Sequence, residues 1–325
     1  QSPILSGLVG SEMCIRDSLY CMPEEGMEWL PKEGILSFEE LERVVRILAP
    51  MGIRKLRLTG GEPLLRRDLP RLISLLRAIE GIDDIALTTN ALLLAEQAEA
   101  LQKSGLDRVN VSLDSLLRER FEQITRRDAL DRVLRGIEQA AKTFQGPLKI
   151  NAVLMRGLND AETPAFAELA RKHGHTIRFI EYMPLDADES WSRSSLVTGA
   201  EIRERIDRHL DNGARLIEDP ARDQRAPAAD YIFSDGAPGK IGFINSVSEP
   251  FCENCNRIRI TADGKLRTCL FSQEETDIAS LLRGGASDEK IDAAVHAAVQ
   301  DKEPGHRINE PDFVRANRSM SQIGG

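Results

Sequence analysis

Arg54-Lys55-Leu56-Arg57-Leu58-Thr59-Gly60-Gly61-Glu62-Pro63 reads as a β-strand over Arg54 to Thr59 that ends at two glycines. At such a pair the backbone can turn sharply and approach a ligand closely, although a tight strand-to-helix turn explains the glycines equally well. Four more strand-length runs follow, at Ile85 to Thr89, Arg108 to Ser112, Leu148 to Val153 and Thr176 to Glu181, each trailed by a helix-length amphipathic segment. Strands alternating with helices predict βα units around a parallel sheet. A right-handed series of this kind closes toward a barrel or opens as a doubly wound sheet, and periodicity does not choose between them. In both cases functional residues gather at the C-terminal strand ends.

Polar residues sit at those predicted ends, in Thr88-Thr89-Asn90, Ser112-Leu113-Asp114 and Glu181-Tyr182-Met183-Pro184. Together with the glycine turn they would line one mouth. No Walker-type phosphate loop is readable, because Gly239-Lys240 lacks the glycine spacing. After about residue 210 the apolar runs shorten, and Pro, Gly and Asp between 219 and 240 predict a linker. Arg257 to Thr261, Ala262-Asp263-Gly264 and Lys265 to Thr268 then read as two strands around an Asp-Gly turn.

The chain of 325 residues can bury a sizeable core, as one large domain or a large one with a smaller partner. Its 41% hydrophobic and 29% charged content is that of an ordinary soluble protein. No apolar run approaches the roughly 20 residues of a membrane helix, and the short apolar opening Pro3 to Gly10 lacks the preceding Lys or Arg of a secretory signal. The expected location is the cytoplasm. A net charge of -9 argues against a protein that coats nucleic acid, so local arginines must hold any anionic ligand. Of five cysteines, three fall between 252 and 269, which suggests metal ligands in a reducing compartment more than disulfides.

Cys252, Cys255 and Cys269 form the most specific chemical signal. The short spacing puts two sulfurs on one turn, and the predicted hairpin can return Cys269 beside them. Structural zinc usually takes four ligands, yet no His or fourth Cys lies between 252 and 269. Thiolates also select iron-sulfur clusters, and three on a four-iron cluster would leave one iron open to substrate. Arg257 and Arg259 flank Ile258 directly after the pair. Residues two apart in a strand share a face, so both guanidinium forks could clamp a phosphate or carboxylate.

Six strings in this order, Tyr20 to Gly26, Thr59 to Pro63, Val111 to Asp114, Glu181 to Pro184, Cys252 to Arg259 and Met320 to Gly325, closely resemble the GTP 3',8-cyclase family of radical S-adenosylmethionine enzymes. That family begins molybdenum cofactor biosynthesis, and the resemblance runs from about residue 19 to the end. It implies an α/β fold: a partial (βα) TIM-type barrel over 19–210 and a smaller C-terminal iron-sulfur domain over 211–325. It also implies two 4Fe-4S clusters. One, near the N-terminus, binds S-adenosylmethionine and generates the 5'-deoxyadenosyl radical that abstracts the ribose 3' hydrogen of GTP, whose carbon radical then attacks C8 of guanine. The other, on Cys252, Cys255 and Cys269, meets the guanine base.

By the same resemblance Arg57, Thr88, Lys149, Arg257, Ile258 and Arg259 contact GTP. Tyr20, Gly61, Ser112 and Met183 contact S-adenosylmethionine, and the Gly324-Gly325 tail reaches the active site. Implied partners are a flavodoxin- or ferredoxin-type reductant protein and, downstream, cyclic pyranopterin monophosphate synthase, with a homodimer allowed and no nucleic acid or membrane. Where the family opens with Cys-x3-Cys-x2-Cys, this chain has Cys14 and Cys21 at matching spacing but Ser18 in the middle, a poor substitute for a thiolate. Gln1 to Ser18 shows neither the strand nor the arginine expected there and reads as a foreign segment, which would leave the barrel without its first strand and a neighbour's edge exposed. Asn90-Ala91 stands where the family usually has Asn-Gly, and Ala there is strained if φ is positive. Two competing readings are a peptide-modifying radical maturase, which needs a peptide groove instead of triphosphate arginines, and a non-catalytic iron-sulfur or zinc protein, which Ser18 would favour.

Overall fold

The computed structural model describes residues 4–6, 31–185, 190–224 and 226–323. Alternation builds its strands: Leu56 and Leu58 are buried on the outer, helix-covered face while Arg57 between them turns to the other. The strands are β1 (Ile4–Ser6), β2 (Lys55–Leu58), β3 (Asp84–Thr89), β4 (Arg108–Ser112), β5 (Lys149–Leu154), β6 (Thr176–Glu181), β7 (Leu216–Glu218), β8 (Ala229–Phe233), β9 (Lys240–Ile244), β10 (Arg257–Ile260), β11 (Lys265–Arg267) and β12 (Thr276–Asp277). The helices are α1 (Phe38–Leu48), α2 (Leu69–Arg77), α3 (Leu94–Lys103), α4 (Arg118–Thr125), α5 (Leu130–Thr143), α6 (Thr163–His173), α7 (Gly199–His209), α8 (Ile278–Arg283), α9 (Asp288–Gln300) and α10 (Met320–Ile323). Ser37 and Glu40 close a capping box on α1, which buries Leu41, Val44, Val45 and Leu48 on one side.

All described strands join one sheet in the order β12-β11-β10-β1-β2-β3-β4-β5-β6-β9-β8-β7. The run from β10 through β9 is parallel, and antiparallel strands flank it at both ends. The sheet curves, because side chains from β2, β3, β4, β5, β6, β9 and β10 line one cavity. Periodicity left barrel and open sheet undecided; the structure is a partial barrel. The five strands expected between 54 and 181 appear within a residue of their expected bounds, and the Asp-Gly hairpin is β10 and β11.

Two expectations are corrected. The sheet does not lack its first strand: Ile4–Ser6 pairs in parallel with both β2 and β10, satisfying edges that would otherwise present unpaired backbone groups. The rest of 1–18, Cys14 and Ser18 included, lies outside the described residues, as do Tyr20, Cys21, Gly324 and Gly325. The stretch 219–240 is not a plain linker, since its Pro and Gly residues fall in turns bracketing β8 and Asp230 lies within that strand. The segment after residue 210 thus extends both edges of the same sheet. No described helix is long and apolar enough to cross a membrane.

Candidate active site

Buried carboxylates hold the loops at the strand ends. Glu62, from the glycine turn, accepts hydrogen bonds from Thr89 Oγ1 (2.7 Å), the Asn90 amide (2.8 Å) and the Leu64 amide (3.0 Å). Asp114 accepts from the Val153 amide at 2.9 Å, and Glu181 accepts from the Val247 and Ser248 amides at 2.7 and 2.8 Å. Each charge satisfies backbone donors that irregular loops leave over. The polar strand-end motifs therefore serve first as framework, fixing the loops at the strand ends.

Inside lies a cavity of about 310 Å³. Arg57, Thr88, Arg178, Arg257 and Arg259 line it together with Gly61, Ser112, Met183 and all three cysteines. Burial and the charges of Arg108, Arg178, Arg257 and Arg259 draw Arg57 down to about 9. Burial, then Arg178 and Arg108, draw Lys149 down to about 8. Burial and Arg257 bring Arg259 to about 10. Nε of Arg57, Arg178 and Arg259 is buried without a hydrogen-bond partner. Buried cations that repel one another and keep donors unmatched are costly, a cost that a multiply charged anion among them would offset.

The three cysteines are free thiols facing that same cavity. Burial pushes Cys252 up, with help from Cys269 and Cys255, against a hydrogen bond from the His306 amide. Burial also acts on Cys255, but Arg257 and Lys302 outweigh it and bring that thiol to about 7, so much of it is thiolate at neutral pH. Lys302 donates to the carbonyls of Cys255 (2.8 Å) and Arg257 (3.2 Å), and Arg257 stacks 5.2 Å above the Phe251 ring. Among the described residues no three His, Cys, Asp or Glu side chains converge on a single-ion site. One zinc needs all its sulfurs about 2.3 Å from one centre, whereas a four-iron cluster takes each thiolate on a different iron.

Ten predicted residues thus meet at one cavity: Arg57, Gly61, Thr88, Ser112, Met183, Cys252, Cys255, Arg257, Arg259 and Cys269. Lys149 is not among the lining residues, but the charges of Arg178, Arg108 and Arg57 reach it. Ile258 is turned away, because the alternation that aims its neighbours inward buries it in the core on the opposite face. Sequence reasoning missed Arg178 and Asn151, which also line the cavity. The signal was present: Arg178 faces inward from β6 as Arg57 does from β2, and Asn151 follows Lys149 by two on β5.

Residues 8–170 match the Radical SAM superfamily, and residues 175–308 match Molybdenum Cofactor Synthesis C. The chain is 45% identical to GTP 3',8-cyclase of Paenarthrobacter nicotinovorans over 331 residues, covering 97% of this chain and 92% of that one. GTP 3',8-cyclase of Mycolicibacterium smegmatis is 46% identical over 324 residues, with 97% and 87% covered. Among solved structures, Streptococcus suis SuiB bound to S-adenosylmethionine superposes with a TM-score of 0.62 at 14% identity, covering 97% of this chain and 76% of that one, which shows a shared fold.

Proposed function

The chain belongs to the GTP 3',8-cyclase family of radical S-adenosylmethionine enzymes, and we propose a division of labour among its residues on that footing. It cyclises GTP to 3',8-cyclo-7,8-dihydro-GTP, the first step of molybdenum cofactor biosynthesis. When bound, the radical-generating 4Fe-4S cluster and S-adenosylmethionine supply the 5'-deoxyadenosyl radical that takes the ribose 3' hydrogen. Arg57, Arg178, Arg257 and Arg259, with Lys149 and Thr88, would hold the triphosphate, and the unmatched buried Nε groups of Arg57, Arg178 and Arg259 carry this reading. Cys252, Cys255 and Cys269 would hold a second 4Fe-4S cluster against the guanine base. Fixing both ends of one nucleotide restricts how C3' and C8 can meet, the orientation effect that makes ring closure competitive.

Gly61, Ser112 and Met183 would contact S-adenosylmethionine with Tyr20, and Gly324-Gly325 would complete the site from the tail. We place the enzyme in the cytoplasm, with a flavodoxin- or ferredoxin-type reductant and cyclic pyranopterin monophosphate synthase as partners, and with a homodimer as the candidate assembly. Ser18 supports a second reading, in which only the C-terminal cluster assembles and the chain binds GTP without turnover. The deciding experiment is anaerobic reconstitution, iron and sulfide analysis, and turnover with GTP deuterated at the ribose 3' position. Transfer of that deuterium into 5'-deoxyadenosine is expected. Its absence from a Ser18→Cys variant that carries two clusters would sink the cyclase reading, whereas activity appearing only in that variant would establish the second.

A further inference from the structure

Arg178 on β6, Gly242 on β9 and Asp230 on β8 are direct cross-strand partners. A Cβ at Gly242 would stand 2.6 Å from Asp230 Oδ1 and 3.1 Å from Arg178 Cγ, so the two side chains reach toward each other over space that only glycine leaves. They do not close into a hydrogen bond. Arg178 Nη2 lies 3.8 Å from Asp230 Oδ2, and Arg178 Nε and Asp230 Oδ1 are both buried without partners. Neighbouring Arg108 behaves otherwise, bonding Asp84 at 2.9 Å through Nε. Nothing in the described catalytic chemistry uses Asp230, yet its charge acts on Arg178 and Lys149 alike.

We propose that Asp230 is a built-in counter-charge of the anion site, holding Arg178 across Gly242 while no phosphate is bound and yielding it when a triphosphate arrives. A carboxylate at hydrogen-bond distance would compete with the ligand fully. One at 3.8 Å steadies the guanidinium by charge alone and leaves its donors open. Asp230 thereby makes the ligand-free site tolerable and tunes affinity so that product can leave. The inference rests on the assignment of this cavity to the triphosphate of GTP.

The test uses the full chain with its clusters reconstituted anaerobically, titrated calorimetrically with GTP and, separately, with inorganic tripolyphosphate. Asp230→Asn should bind both about tenfold more tightly at low ionic strength, with the gain shrinking as salt is added. Its ligand-free Tm should fall while the Tm rise on adding tripolyphosphate grows; a merely structural aspartate would lower Tm without enlarging that rise. Asp230→Glu, which keeps the charge, should return affinity toward the parent value, and Asp230→Ser serves should the Asn variant not fold. Unchanged or weaker tripolyphosphate binding in the neutral variants would overturn the proposal. Tighter tripolyphosphate binding without any GTP binding would leave the counter-charge standing and remove the GTP assignment.

Discussion

Ala91 adopts φ 64 at the end of the β3 loop. A left-handed conformation costs a non-glycine residue about 1 kcal/mol, and the adjacent α5 helix accommodates it by placing Gly136 opposite, where a Cβ would sit 2.4 Å from the Ala91 carbonyl oxygen. Ala91→Gly should therefore stabilise the fold by about 0.5–1 kcal/mol in denaturant unfolding, and Gly136→Ala should destabilise it by about 2 kcal/mol. Lys149 supplies a pH signature. With burial and neighbouring arginines holding it near 8, its ammonium is present below that pH and lost above it. GTP affinity should fall several-fold as pH rises from about 7 to 9, with proton uptake on binding near pH 8. Calorimetry in buffers of different ionisation enthalpy checks this, and Lys149→Met should erase it. Stability of the ligand-free protein runs the other way, because the penalty on the charged lysine is present below about 8 and fades toward its ordinary 10.5.

The β10–β11 hairpin is the element that joins both halves of the site, carrying Arg257 and Arg259 on one strand and leading from the other to Cys269. Arg267 anchors it: wholly buried, it bonds Glu275, the Ser272 carbonyl and Asn317. Arg318 binds the same Glu275 and Asp263 of the hairpin turn, tying the C-terminal segment down. Removing one member of a buried ion network leaves the others uncompensated. Arg267→Ala should cost about 3 kcal/mol and lower iron content by displacing Cys269. Arg259→Ala should instead weaken GTP binding with cluster content intact, because that guanidinium contributes charge to the cavity, whereas Arg257→Ala should weaken GTP binding and also raise the Cys255 thiol. Iron analysis beside calorimetry separates the two effects.

At the scale of the molecule, a chain of net charge -9 gathers buried arginines with unmatched donors inside a curved sheet. β1 bridges β2 and β10, the strands that carry Arg57 and the arginine pair. Deleting residues 1–6 should expose two strand edges, lower Tm by about 5 °C and increase aggregation, which calorimetry and light scattering can measure.

Local order was legible because it is written in local terms. Alternation marked β2 to β6, the Asp-Gly pair marked the hairpin, and Cys252, Cys255, Arg257 and Arg259 stand close enough in the chain to be read as one motif. Composition misread 219–240, since Pro and Gly mark the ends of β8 as readily as they mark a linker. Which strands neighbour one another was beyond the sequence, because the pairings of β1 with β10 and of β6 with β9 join segments far apart in the chain. Only that closure turns Arg57, Lys149, Arg178, Asp230 and Arg259 toward each other. The depressed ionisation of Arg57, Lys149, Arg178 and Arg259, and the unmatched donors of the three arginines, are properties of enclosure, where solvent is withdrawn and charges from separate strands act on one another.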